Sequence, residues 1–144
     1  MSSGTSSTAI ADRLHSVAIH LLRRLRREDE ASALSAPQLS ALSVIVFGGP
    51  VTLGALAAAE QVRPPTITKL VAGLEEAGLV ARERDPADAR VTRVRATARG
   101  TRLLQEGRER RVAALAASLR ALPAADRKMV LRALPILETL ARGS

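Results

Sequence analysis

The chain has 144 residues, 47% of them hydrophobic, with a single aromatic, Phe47, and no cysteine. That length suits one domain around one aliphatic core in which helices outweigh strands. The missing cysteines exclude disulfides, thiolate catalysis and a thiol redox switch, while 22 Lys and Arg against 14 acids point to a polyanionic partner.

Residues 1–7 carry no basic region followed by an apolar block, so they read as a disordered tail and not as a signal peptide. No stretch reaches the roughly 18 apolar residues of a membrane span. No membrane partner is therefore expected, and the cytoplasm is the expected location. A first helix is predicted from Thr8 to Arg27, with Ile10, Leu14, Val17, Leu21 and Leu25 on one face. Arg23, Arg24, Arg26 and Arg27 crowd its end, where cations suit the helix dipole. His15 and His20 lie five apart on it and do not share a face, so they predict no metal site. No cofactor is expected either.

Ser35, Pro37 and Gln38 form the start of a second helix, with a capping box and a proline in the first turn. Leu39, Leu42, Ile45 and Val46 are its buried face, and Gly48-Gly49-Pro50 stops it. Thr52 caps a short alanine-rich helix, Leu53 to Glu60. Gln61-Val62-Arg63 makes the turn, and Pro64-Pro65 open a fourth helix with Ile67, Leu70, Val71 and Leu74 inward. Gly78 suits its C-terminal cap. From Leu79 the periodicity changes. Val80 to Arg84 and Val91 to Ala96 predict a β-hairpin around the turn-forming Asp85-Pro86-Ala87-Asp88-Ala89. Gly100 precedes a long helix to about Leu122, and Pro123 begins a last one with Val130, Leu134, Leu137 and Ala141 on one face.

Two short helices across a tight turn, then a hairpin, are the parts of a winged helix-turn-helix. The inward set on the fourth helix leaves Thr66, Lys69 and Gly73 outward, with Thr68 at the edge and Arg63 in the turn. Thr66 and Thr68 can touch a base edge or a thymine methyl; Lys69 and Arg63 can meet guanine or phosphate. Six arginines, including Arg82, Arg90 and Arg93, lie between positions 82 and 99 against three acids. A merely solvated hairpin does not need so many, and a wing that binds only protein would be neutral or acidic. Arg90 at the tip suits a narrow minor groove. Asp88 either forms the turn or holds Arg82 or Arg90 by a bidentate pair. No Ser-His-Asp set, phosphate-cradling glycine loop or metal-ligand spacing is present. The acid pairs Glu75-Glu76 and Glu28-Asp29-Glu30 read as solvated helix charge, so no enzyme is expected.

The run from Gly78 through Asp88-Ala89-Arg90-Val91 to Thr97-Ala98-Arg99-Gly100 resembles the wing of the MarR family (multiple antibiotic resistance regulators). Thr66-Ile67-Thr68-Lys69-Leu70-Val71 and Leu74-Glu75-Glu76-Ala77-Gly78 resemble its recognition helix and exit. The resemblance implies a mainly α fold with a small β-hairpin wing, a winged helix-turn-helix with N- and C-terminal dimerisation helices. It implies one domain over 8–144, with a DNA-binding lobe at 35–99 and dimerisation helices at 8–33 and 100–142. It further implies a transcription regulator, a repressor that binds a pseudo-palindromic double-stranded operator as a homodimer. Asp88 and Arg90 would be the wing pair, and Thr66, Thr68 and Lys69 would lie in or beside the major groove. A small aromatic or phenolic effector is implied too, though the residues point to no ligand-binding site for it. Two positions depart from the family pattern. Pro64-Pro65 stand where a serine or threonine is common, and proline cannot donate an N–H to phosphate, so one anchoring contact is missing or moved to Thr66. Ala96 replaces a larger aliphatic residue, which loosens the wing.

Overall fold

The structure is a computed structural model and describes residues 5–143. Of the expected tail, positions 1–4 lie outside the described residues. Ser6 is already a cap, its hydroxyl accepting from the Ala9 N–H at 3.1 Å, and helix α1 spans Ser7–Arg27. A 3-10 turn, Glu28–Ser32, follows. Helix α2 is Ala36–Gly48, and its capping box forms in full between Ser35 and Gln38. Gly49 ends it at φ 72°, which a side chain would resist.

Val51–Thr52 form a short strand, β1, that the sequence did not signal. Helix α3 is Leu53–Glu60, capped by Thr52, and helix α4 is Pro64–Glu76. Strands β2 (Val80–Arg84) and β3 (Thr92–Ala96) make the expected hairpin. β1 adds to its other edge, pairing Val51 with Val94 and Thr52 with Arg93, so the sheet is three-stranded in the order β1-β3-β2. Helix α5 covers Ala98–Arg120 and helix α6 covers Ala124–Arg142, continuous through Pro135.

The chain divides into two compact units, Met1–Arg108 and Glu109–Ser144, with the boundary inside α5. In the first unit Leu42 and Ile45 of α2, Leu56 of α3, Ile67, Val71 and Leu74 of α4 and Val94 of β3 are fully buried. Leu79 and Val80 close the core beneath the wing. Burying such side chains is worth about 1.5–3 kcal/mol each, so α4 is fastened along one whole face. In the second unit Arg127 of α6 turns back, and its Nη1 donates to the carbonyls of Leu119, Arg120 and Leu122. These carbonyls lie at and just past the end of α5; that of Leu119 also accepts from the Leu122 N–H, and the guanidinium serves all three.

The junction of α4, β2 and α5 is tight. The Thr97 N–H donates to the Leu79 carbonyl at 3.0 Å, and its hydroxyl donates to the Gly78 carbonyl at 2.7 Å while accepting from the Gly100 N–H at 3.1 Å. Gly100 is buried, and a Cβ there would collide with the Leu79 carbonyl. Gly100→Ala should therefore destabilise the fold by about 1–3 kcal/mol, the usual range for overpacking. Urea unfolding at a fixed protein concentration measures this, and an unshifted midpoint would contradict the close approach.

Candidate nucleic-acid interface

Helices α3 and α4 meet across Gln61–Arg63. Gln61 adopts the left-handed conformation at φ 55°, and its N–H donates to the Ala58 carbonyl. Arg63 is the exposed cap residue of α4, with no side-chain capping bond. Its carbonyl accepts from the N–H groups of Thr66 (3.0 Å) and Ile67 (3.2 Å). Pro64 and Pro65 carry no N–H. The first turn of α4 thus offers no free backbone donor, and an anchoring contact at Thr66 would have to come from its exposed side chain.

Thr66, Thr68 and Lys69 are all exposed on α4. The Thr68 hydroxyl donates to the Pro64 carbonyl at 2.9 Å, so its proton is committed to its own helix and the oxygen is left as an acceptor. Gly73, expected to face outward, is instead half-buried against α2. A Cβ at that position would lie 2.9 Å from the Gln38 Nε2. The missing side chain makes room for the capping-box glutamine. The residues facing directly away from Ile67, Val71 and Leu74 are Pro65, Lys69, Ala72 and Glu76, at about 100° per residue.

The wing arginines are held by carboxylates. At the tip the Arg90 Nε donates to Asp88 Oδ1 (3.1 Å) and Nη2 to Oδ2 (3.3 Å), while the Arg90 N–H also meets Oδ1 (3.0 Å). Asp88 therefore grips Arg90, the alternative the sequence left open beside Arg82. The Arg90 side chain is still 91% exposed. Arg82 pairs at 3.3 Å with Glu75 at the end of α4 and so ties the wing base to that helix. Arg93 binds Asp85 at 2.6 Å, and Arg95 binds Glu83 at 3.3 Å across the hairpin.

Asp85 is the organiser that sequence reasoning missed. It forms the turn as expected, accepting from the N–H groups of Ala87 and Asp88, but its side chain is also only 10% exposed and accepts from Arg93. The Ala87 N–H does most to hold it below the ordinary carboxylate range; Arg93 and the Asp88 N–H add to this, and desolvation opposes it. Asp88 is held low by the Arg90 guanidinium first and the Arg90 N–H second, again against desolvation. Among the described residues no cluster of His, Asp and Glu could hold a metal ion.

The chain is similar to known proteins. The MarR family model matches residues 34–92. An HTH-type transcriptional regulator of Mycobacterium leprae is 38% identical over 106 residues, 74% of each chain. One from Mycobacterium bovis is 34% identical over 135 residues, 94% of each chain. A solved MarR family protein from Bacillus stearothermophilus is 30% identical, with 96% of both chains covered and a TM-score of 0.74.

The two depressed carboxylates give a pH prediction with a definite sign. Their folded values lie below the ordinary 3.8, so the order they lend the wing is complete above that pH and is lost as the pH falls below it. The NMR signals of the Arg90 and Arg93 Nε–H groups should stay constant from about pH 8 to about pH 5 and change in stronger acid. Titration of either signal between those limits would contradict the pairing.

Proposed function

This chain belongs to the MarR family of winged-helix transcription regulators, and from that premise we propose that it represses transcription by binding a pseudo-palindromic DNA operator as a homodimer. Family membership and its relatives make it a transcription regulator and not an enzyme. The observation that carries the finer reading is the wing tip: a guanidinium fixed at two of its three nitrogens by Asp88 yet 91% exposed. Such a group is pre-oriented for a minor groove, where the potential is most negative. Arg63, Thr66, Thr68 and Lys69 would meet the adjacent major groove and its phosphates, with Arg82 and Arg93 supporting the wing.

Dimerisation rests on exposed hydrocarbon. No residue of α1 or α6 is buried. Ile10, Val17 and Leu22 of α1, and Leu131, Ile136 and Leu140 of α6, are 47–67% exposed. Surfaces of this kind mark association, and a two-fold interface buries them in pairs. We assign residues 35–99 to the DNA-binding lobe and 8–33 and 100–142 to the dimerisation helices. Two recognition helices would then enter half-sites about one helical turn, or 10–10.5 base pairs, apart. We place the protein in the cytoplasm, with DNA. Among the described residues no single helix is long and apolar enough to cross a membrane.

A small aromatic or phenolic effector would release the DNA by favouring a separation of the two lobes that mismatches the grooves. A cleft of about 340 Å³ supports this arm of the proposal; it is lined by Arg99, Arg102, Leu103 and Glu106, whose two guanidiniums suit a carboxylate.

Sedimentation should show a dimer. A duplex selected by the full chain from a random pool should bind with a steep salt dependence. Arg90→Ala should weaken binding and reduce the slope of log K against log salt by about 0.9. A monomer that selects no duplex would overturn the reading, and an unchanged slope would remove Arg90 from the contact.

A further inference from the structure

The outward stripe of α4 has an uneven chemistry. Pro65, Lys69 and Ala72 follow one another along it at spacings of four and three, and all three are exposed. Lys69 is the one hydrogen-bond donor among them. Pro65 and Ala72 present hydrocarbon alone. The backbone supplies no substitute donor near the helix start, and the exposed Arg63 guanidinium and Thr66 hydroxyl lie off the stripe by helical angle. Pro64 and Pro65 lack an N–H, those of Thr66 and Ile67 are bound to the Arg63 carbonyl, and the Thr68 hydroxyl proton goes to the Pro64 carbonyl. One turn beyond Ala72, Glu76 occupies the same stripe, and its carboxylate would be repelled by phosphates. The stretch available to a groove therefore runs from position 65 to position 72.

We infer that Pro65 and Ala72 read thymine methyl groups on either side of the base met by Lys69, an inference that rests on the DNA-binding reading above. In the major groove every base edge presents donors or acceptors, and hydrocarbon against those leaves them desolvated without a partner. Thymine alone among the four bases offers a methyl group. Seven residues of helix advance about 10.5 Å, and a duplex rises about 3.4 Å per base pair. Pro65 and Ala72 therefore meet thymines about three base pairs apart, with the Lys69 contact between them. The stripe itself contributes two apolar contacts and one cation to the choice of half-site, beside the polar contacts of Arg63, Thr66 and Thr68.

The test uses the full chain and the duplex it selects from a random-sequence pool. The selected half-site should carry thymine at two positions about three base pairs apart. Replacing either thymine by uracil, which removes the methyl and nothing else, should weaken binding about fourfold, the value of one buried methyl. Pro65→Ser should abolish the thymine–uracil difference at one position and Ala72→Ser at the other. The readout is a ratio within each variant, so the N–H that Pro65→Ser restores to the helix start does not enter it. Equal affinity for thymine and uracil duplexes, or selected half-sites without those thymines, would overturn the inference while leaving DNA binding intact. Failure to select any duplex would bring down the DNA-binding reading and this inference together.

Discussion

The mutual placement of α4, the wing and the start of α5 depends on the knot tied by Thr97. Two carbonyls at the exit of α4, those of Gly78 and Leu79, are taken up by one residue at the entrance of α5, and the same hydroxyl caps that helix at Gly100. Helix ends leave such groups orphaned, and burying them unsatisfied would be costly. Here the end of one helix satisfies the start of another. Gly78 makes the turn at φ 75°, Leu79 drops into the core, and Gly100 lets the α5 backbone press against the Leu79 carbonyl. The recognition helix, the first strand of the wing and α5 are thus referenced to the same few atoms. The position of Arg90 relative to Lys69 inherits its definition from this knot.

Above the knot, orientation is set by charge. Four of the six arginines between positions 82 and 99 have carboxylate partners within 3.3 Å. Exposed ion pairs of this sort add little to stability. Their consequence is geometric, most of all at Arg90, whose guanidinium is held at two nitrogens and has already lost rotamer freedom that binding would otherwise remove. Asp85 extends the principle to the backbone. By accepting from Ala87, Asp88 and Arg93 at once, it shapes the turn that carries Asp88, which in turn aims Arg90. The carboxylates lower the net positive field of the wing and fix where its positive ends point.

Much of this was legible in the sequence because the signals were local. The capping box at Ser35 and Gln38, the Gly48-Gly49-Pro50 stop, the Gly78 exit and the hairpin all rest on residues within a few positions of one another, and all form. What escaped was non-local. β1 is two residues long, too short for any periodicity, and exists because β3 offers it an edge. Arg82 could not be assigned to Glu75, since that pair joins two elements whose packing the sequence does not state. Gly73 stands at the border of the outward face by helical angle, and only the arrival of Gln38 from α2 turns it inward. Asp85 resembled any turn aspartate; its pairing with Arg93 joins positions eight apart across the hairpin.

The start of α4 separates two tasks that a recognition helix often combines. A helix N-terminus with free N–H groups is a ready anion site, and a phosphate seated there contributes affinity without regard to sequence. Two prolines and the Arg63 carbonyl remove that site here. On the proposed reading, sequence-independent grip passes to side chains, to Arg63 beside the helix and Arg90 on the wing, while the exposed stripe of α4 is left to discriminate among bases. Loss of a wing arginine then weakens all duplexes alike, and a change on the stripe alters the preferred duplex. A helix whose backbone held a phosphate could not keep these effects apart, because moving it in the groove would disturb both at once.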